Sequence, residues 1–265
     1  MIEDFKTNKP LLIFIISTPR SLSTIFLRTF MNQPNVQVFH EKMSPIYYEE
    51  VLNKHRKVSL EDLTRDHEKL IEKALNENKT VIVKETTDVA PNFLEIIKKW
   101  NNKFNMKYVY LTRHPKPVHV SMQKMIDEEN KIKRFPDDVM ENLANMDLYT
   151  PLWDLYKIFG GKVIIAEDLQ ENPPKIFEEV FDYCNLKFKE EVLTYEPLSK
   201  IGIPEEMVYF EKWYSDCINA TSMWPGMTDI KSIVIEDIKD VERIKIEEEI
   251  YNKFAEERKN QLNNR

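Results

Sequence analysis

The chain has 265 residues, 42% of them hydrophobic and 31% charged, which is enough apolar material for one sizeable folded domain and too much for a disordered chain. A net charge of −7 and a pI near 5.5 argue against nucleic acid or an anionic membrane as the main partner, though a local cationic site can still take a small anion. The two cysteines, Cys184 and Cys217, lack CxxC spacing and a nearby His pair, so reduced thiols are expected rather than a disulfide or a metal site.

The opening stretch MIEDFKTNKP is polar and partly acidic, unlike a signal peptide, and a cytoplasmic location is expected. Leu11 to Ile16 is an apolar run too short to span a membrane, and it reads as a buried strand. The turn Ser17-Thr18-Pro19-Arg20-Ser21 follows, then a helix with Leu22, Ile25, Phe26 and Phe30 on one face. A strand, a polar turn and a helix N-terminus together suit phosphate, because the first helical turn leaves backbone N–H groups unpaired. Arg20 adds a fixed cation, and Ser17, Thr18, Ser21, Ser23 and Thr24 add hydroxyls. An ordinary helix cap after a core strand has the same appearance.

Val36 to His40 reads as a second strand, ending at His40-Glu41. Helices are expected over Ser44 to Lys54 and, capped by Ser59, through Leu75. Val81 to Val83 is a third strand that runs into Lys84-Glu85-Thr86-Thr87-Asp88. Pro91 suits the first turn of a helix ending near Trp100, and Lys107 to Thr112 is a fourth strand, ending at Arg113-His114-Pro115. The next helix starts near Pro117 and spaces Val118, Met122 and Met125 along one face. Asp137 to Phe159 reads as one long helical stretch stopped by Gly160-Gly161, before a fifth strand at Lys162 to Ala166 and a helix at Lys175 to Cys184. Beyond residue 188 the pattern is helical, apart from a weak strand signal at Ser232 to Ile235. The final helix is heavily charged, with Glu247-Glu248-Glu249 read as a solvated face. His55, His67 and His119 fall in helices without metal-ligand spacing.

Short apolar strands alternating with helices predict a three-layer α/β fold around a mostly parallel sheet. One domain is expected over residues 1–265, with a core at about 11–190 and a helical elaboration at about 191–265. Ligands of such sheets lie beyond the carboxyl ends of the strands, which here deliver Ser17 to Arg20, His40-Glu41, Lys84 to Asp88, Arg113-His114 and Glu167-Asp168. Glycine is scarce: there are four in the chain, and none before residue 160. A Walker A loop, a GxGxxG turn and a kinase flap therefore cannot be written from residues 1 to 159. A phosphate site here must be built from side chains and a helix N-terminus.

In RHPKPVHVS, Arg113 closes a strand and Ser121 lies eight residues later, inside the next helix. A planar guanidinium and a hydroxyl so placed can share one anion. STPRSLST after the first strand together with RHPKPVHVS after a later one resembles the sulfotransferase family. VFHEK is similar to the DEP-type segment of a bacterial branch, VIVKE to the family's strand-plus-Lys, and KVIIAEDLQENPPKIFEEVFDYCNLKF to its YEDL stretch. The likeness implies a P-loop-like turn in which Pro19, Arg20, Ser21, Leu22, Ser23 and Thr24 bind the 5′-phosphosulfate of the donor PAPS (3′-phosphoadenosine 5′-phosphosulfate). It further implies that Arg113 and Ser121 hold the donor's 3′-phosphate. Leu22 stands where the family commonly has Gly, the His of the Lys-Thr-His segment is replaced in Lys84-Glu85-Thr86, and no late Arg-Lys-Gly loop is found.

Sulfuryl transfer to a hydroxyl or amine of a small-molecule acceptor follows as the expected activity, with PAPS as donor and no metal. Arg20 would neutralise the leaving phosphate and Lys84 the transferring sulfuryl oxygens. The base that takes the acceptor's proton is Glu41, His40 or Glu85, and the branch likeness favours Glu41. An ATP-dependent phosphotransferase using the same loop, or a silent nucleotide-binding protein, are the alternatives.

Overall fold

Along the first strand, β1 (Leu11–Ser17), alternate side chains enter two separate cores, and from Leu12 onward none of them reaches water. Leu12, Phe14 and Ile16 face one layer of helices, and Ile13 and Ile15 face the other. Burial on both faces is what makes the strand read as a continuous apolar run. The computed structural model describes residues 10–43, 60–88, 94–132, 137–197, 214, 217–223 and 241–263.

Four more strands flank β1: β2 (Val36–His40), β3 (Thr80–Thr86), β4 (Asn105–Thr112) and β5 (Lys162–Ile165). All five are parallel, in the order β2-β3-β1-β4-β5. The helices are α1 (Ser23–Met31), α2 (Leu60–Asn76), α3 (Leu94–Lys103), α4 (Pro115–Ile132), α5 (Asp137–Asn145), α6 (Thr150–Phe159), α7 (Ala166–Glu171), α8 (Pro173–Tyr183) and α9 (Val241–Asn263). Helix α1 stacks Phe26 and Phe30 on Phe177 and Phe181 of α8 to form one layer. Residues from α2 to α6 and from α9 make the other, around Phe14 and Trp100. The expected three-layer α/β architecture is present.

Local readings differ from the structure in three places. The expected single stretch from Asp137 to Phe159 is two helices, α5 and α6, because Asp147 Oδ1 accepts from the backbone N–H of Tyr149 and Thr150 and restarts the chain ahead of Pro151. Leu22 is not on the face of α1 but precedes it as the N-cap residue. Glu247 is not solvated: it is 1% exposed and bound to His119 of α4. Helix α9 buries Ile244, Glu247, Ile250, Phe254 and Arg258 in one stripe against the domain. The expected elements at Ser44 to Lys54 and Ser232 to Ile235, the cap Ser59, and Pro91 lie outside the described residues.

Helix α9 also completes the border of the sheet. Gln261 accepts from the backbone N–H of Val163 at 3.1 Å and donates to the carbonyl of Gly161 at 2.8 Å. Arg258 and Lys162 share the buried carboxylate of Glu179, at 2.6 and 3.1 Å. Gly161 has a φ of +132°, and a Cβ there would stand 2.4 Å from the Tyr108 carbonyl, so glycine is required at this close approach. Both cysteines are free thiols, and burial pushes Cys184 up to about 12. Among the described residues no helix is long and apolar enough to cross a membrane, and no cluster of His, Cys, Asp or Glu could hold a metal ion.

Two histidines are buried without charge. His67 sits edge-on to Phe39 and Trp100, at 5.4 Å from each, and loss of water pushes it down to about 3, with Lys42 adding to the effect. His40 is held down at about 4, again chiefly by burial, although the Glu41 carboxylate opposes the shift. An unfolded chain takes up these protons near pH 6.5 while the folded one refuses them. The stability they confer is complete above pH 6.5 and is lost as pH falls from there towards 4 and 3. Each should cost about 1.4 kcal/mol per pH unit in that window. Urea unfolding at pH 7 and pH 5 measures the loss, and His67→Phe should flatten the slope by about one proton. An unchanged slope in that variant would refute the assignment to His67.

Candidate active site

The carboxyl ends of the strands place the turn after β1 between two groups of functional side chains. The turn is joined to its neighbours by the backbone: Thr18 N–H donates to the Leu111 carbonyl at 3.2 Å, and Thr87 N–H to the Ser17 carbonyl at 2.9 Å. Ser21 Oγ donates to the Thr18 carbonyl at 2.6 Å, which closes the turn on itself. Helix α1 then begins at Ser23, with its first residues, Ser23 and Thr24, buried. No side chain caps this N-terminus and no acidic residue occupies its first turn, so its dipole is left for an outside anion. Ser17 Oγ is buried there without a hydrogen-bond partner among the described residues.

Backbone strain is concentrated at the same place. Six non-glycine residues among those described have positive φ; three are asparagines, and the others are Arg20 (60°), Leu22 (68°) and Glu41 (49°). Asparagine visits this region readily, whereas side chains such as Leu and Glu spend about 1–3 kcal/mol to remain there. Leu22 thus takes the left-handed conformation for which a glycine would be the ordinary choice, and its half-buried side chain packs against the α1 core layer. A glycine-free turn of this shape is built from the same conformation at a cost in strain.

On the β4 side of the turn, Arg20 Nε donates to Ser121 Oγ of α4 at 2.8 Å, and Arg113 Nη1 donates to the Arg20 carbonyl at 3.1 Å. Arg20, Arg113 and Ser121 therefore form one cationic group, with the Arg20 side chain reaching across to Ser121. Arg113 is fixed from beneath. Its carbonyl accepts from the Tyr149 hydroxyl at 2.6 Å, and the next N–H, of His114, donates to Glu167 Oε1 at 3.1 Å. Burial and the adjacent Glu167 act in opposite senses on the Arg113 guanidinium, and burial wins, lowering it.

On the β3 side, β2 ends at His40, and the left-handed turn at Glu41 allows both neighbours to enter one cluster. Glu41 Oε1 accepts from Lys84 Nζ and lies 3.5 Å from His40 Nε2, while Oε2 accepts from the Tyr214 hydroxyl at 2.5 Å. Lys84 is fully buried and Glu41 is 6% exposed. Burial alone would raise the Glu41 carboxyl, but Lys84, His40 and the hydrogen bonds from Lys84 and Tyr214 outweigh it and bring it to about 2. Glu85 behaves in the opposite way. It accepts from the Met43 N–H at 2.9 Å, which braces the turn after Glu41, and burial raises its carboxyl well above the usual range.

Tyr214, one of several aromatics whose sequence setting fits either an acceptor pocket or core packing, joins the site through its hydroxyl, a contact with Glu41 that the sequence does not foreshadow. Its ring stands edge-on to His40 at 5.3 Å, and it comes from the C-terminal region, 173 residues from Glu41. That region is tied back to α1 by Arg28, which is 3% exposed. Arg28 donates to the carbonyls of Cys217, Ile218, Ala220 and Glu196 and lies over the Tyr195 ring at 4.6 Å. Cys217, Ile218 and Ala220 are thus clamped by helix α1.

The family model for the sulfotransferase domain matches residues 11–239. The chain belongs to the sulfotransferase family. The match extends past residue 190, where the sequence resemblance stopped, and leaves helix α9 outside it. The sulfotransferase domain of the Synechococcus PCC 7002 olefin synthase is similar in fold, with a TM-score of 0.57 and 17% identity over 92% of this chain and 95% of that one. The sulfotransferase domain of the curacin biosynthetic pathway (TM-score 0.47, 19% identity, 89% and 90% covered) and a sulfotransferase from Alicyclobacillus acidocaldarius (0.46, 11%, 77% and 90%) are also similar. A search of curated proteins finds no match. Sulfuryl transfer is the chemistry of the family.

Proposed function

We propose that this sulfotransferase moves a sulfuryl group from PAPS to a hydroxyl or amine of a small-molecule acceptor in the cytoplasm, releasing adenosine 3′,5′-bisphosphate. One observation carries the reading: the strand order puts a carboxylate cluster, an uncapped helix N-terminus and a two-arginine cluster in a row across β2-β3-β1-β4. Adjacent strands are about 4.8 Å apart, so the row from β3 to β4 spans roughly 10 Å, a fitting length for a ribose with phosphates on both sides. Pro19, Ser21, Leu22, Ser23 and Thr24 frame the 5′ end with the N–H groups of α1. Arg113 and Ser121 face the 3′ end, and Arg20 stands between the two. The buried Ser17 hydroxyl and the uncapped α1 terminus are donors that an anionic group would satisfy.

Transfer is in-line, and the protein contributes mainly position and charge. Arg20 and the α1 N-terminus stabilise the leaving 5′-phosphate. Lys84 turns from Glu41 towards the sulfuryl oxygens, and Glu41 takes the acceptor's proton, with His40 beside it. Nothing in this scheme calls on a metal.

Thermal unfolding with adenosine 3′,5′-bisphosphate and, separately, with ATP and Mg²⁺ tests the donor. Ligand at 100 times its Kd adds about 2.7 kcal/mol, a rise in Tm of roughly 5–10 °C for a chain of this size. A shift with the bisphosphate is expected. A shift with ATP and Mg²⁺ alone would overturn the assignment in favour of a phosphotransferase, and a bisphosphate shift without transfer to any acceptor would indicate a silent binder.

A further inference from the structure

Glu41 is the proposed base, yet in the resting site both of its oxygens are engaged, one by Lys84 and one by Tyr214. A carboxylate so held is a weak base, because the proton it must accept competes with two donors. The two donors differ in what the reaction does to them. Lys84 has a second destination on the sulfuryl group. Tyr214 has none, and it arrives on a segment that Arg28 fastens to α1.

We propose that Tyr214 is a positioning residue for Glu41, holding Oε2 throughout the reaction so that Oε1, once Lys84 leaves it, is the oxygen aimed at the acceptor. The inference rests on the reading of Glu41 as base. In the step itself, the acceptor oxygen or nitrogen forms its bond to sulfur as its proton passes to Glu41 Oε1. The bond from sulfur to the bridging phosphate oxygen breaks, and its electron pair leaves with the 5′-phosphate. Tyr214 neither gains nor loses a proton. Burial, Glu41 and Asp88 all raise its phenol well above the ordinary range, against a smaller opposing effect of Arg20, so it remains a donor. Among the described residues, the charged and titratable groups around Glu41 are Lys84 and Glu85 of β3, His40 of β2, Tyr214, and, acting on Tyr214, Asp88 and Arg20, with Lys42 acting on His40.

Fixing Oε2 has a measurable consequence for proton transfer. Tyr214→Phe keeps the ring against His40 and removes only the hydroxyl, so the fold should survive, as the bisphosphate-induced Tm shift will report. Without that hydrogen bond the ionised form of Glu41 is less favoured, and its pKa rises by about one unit. The acid limb of kcat should therefore move up by about one pH unit, with KM for PAPS unchanged. Single-turnover release of adenosine 3′,5′-bisphosphate from PAPS, with phenol or water as acceptor, gives the profile. An independent readout needs no turnover. Fluorine NMR of 3-fluorotyrosine at position 214 should show the phenol ionising at least one pH unit lower in Glu41→Gln than in the wild type.

A kcat that falls equally at all pH values, or a fluorine titration indifferent to Glu41→Gln, overturns the inference. Failure of the underlying reading looks different: Glu41→Gln itself would then retain wild-type release.

Discussion

Glu41→Gln should lower turnover by about 10²–10⁴-fold, the usual worth of a positioned general base, while the bisphosphate still raises the melting temperature. The expectation follows from geometry. Glu41 sits just past the end of β2 in a left-handed conformation, bound to Lys84, whereas Arg20 and Arg113 cluster with Ser121. Gln keeps a carbonyl for Lys84 and an amide in the volume of the carboxylate, so binding of the nucleotide product should survive. The charge balance does not. Lys84 is fully buried, and removing its counter-charge leaves an ammonium among apolar neighbours, so some stability should be lost as well. The wild-type pair has its own pH signature. With Glu41 held at about 2, its contribution is complete above the ordinary carboxyl range near 4.5 and disappears only as pH falls through about 2. Turnover close to wild type in Glu41→Gln would move the base to another residue.

Arg28→Met should destabilise the fold by about 3 kcal/mol, or a drop of roughly 10 °C in Tm. Met replaces the length of the side chain but none of its donors. The buried Ala220 carbonyl would be left without its donor, at a cost of about 1–3 kcal/mol, and the part-buried carbonyls of Cys217 and Glu196 would lose theirs at a smaller cost. Differential scanning calorimetry measures the loss. The variant should also lose activity at temperatures where it is still folded, because the segment leading back to Tyr214 is no longer tied to α1. An Arg28→Met protein with wild-type Tm would mean that the clamp is not needed.

The parts of this molecule that were legible in its sequence are those where one physical signal dominates. Leu11 to Ile16 announces a two-face-buried strand because no polar residue interrupts it, and the polar residues at each strand end collect where a parallel sheet collects ligands. Strand ends and the family resemblance single out Arg20, Arg113, Ser121, Glu41 and Lys84, and the fold groups the first three together and pairs the last two. Contacts between distant segments leave no such trace. Tyr214 reads in the sequence as one of several aromatics suited to an acceptor pocket or to a core, and nothing near it points to a hydrogen-bond partner 173 residues away. Glu247 looked solvated because three consecutive glutamates usually are, and only its pairing with His119 explains why one of them is buried. The break between α5 and α6 was hidden for a different reason. It depends on a local Asp147 cap that competes with a helical periodicity continuing on both sides.

The side-chain amide of Gln261 reproduces, with one donor and one acceptor, what a sixth strand would offer to β5. Strand β5 is the last in its sheet, and an outermost strand with bare N–H and carbonyl groups is a template for another chain. Helix α9 is in this respect a guard against self-association. Trimming the chain within its last turns would uncover an adhesive border before it disturbed the donor site, and the first symptom would be aggregation of a protein whose chemistry is intact.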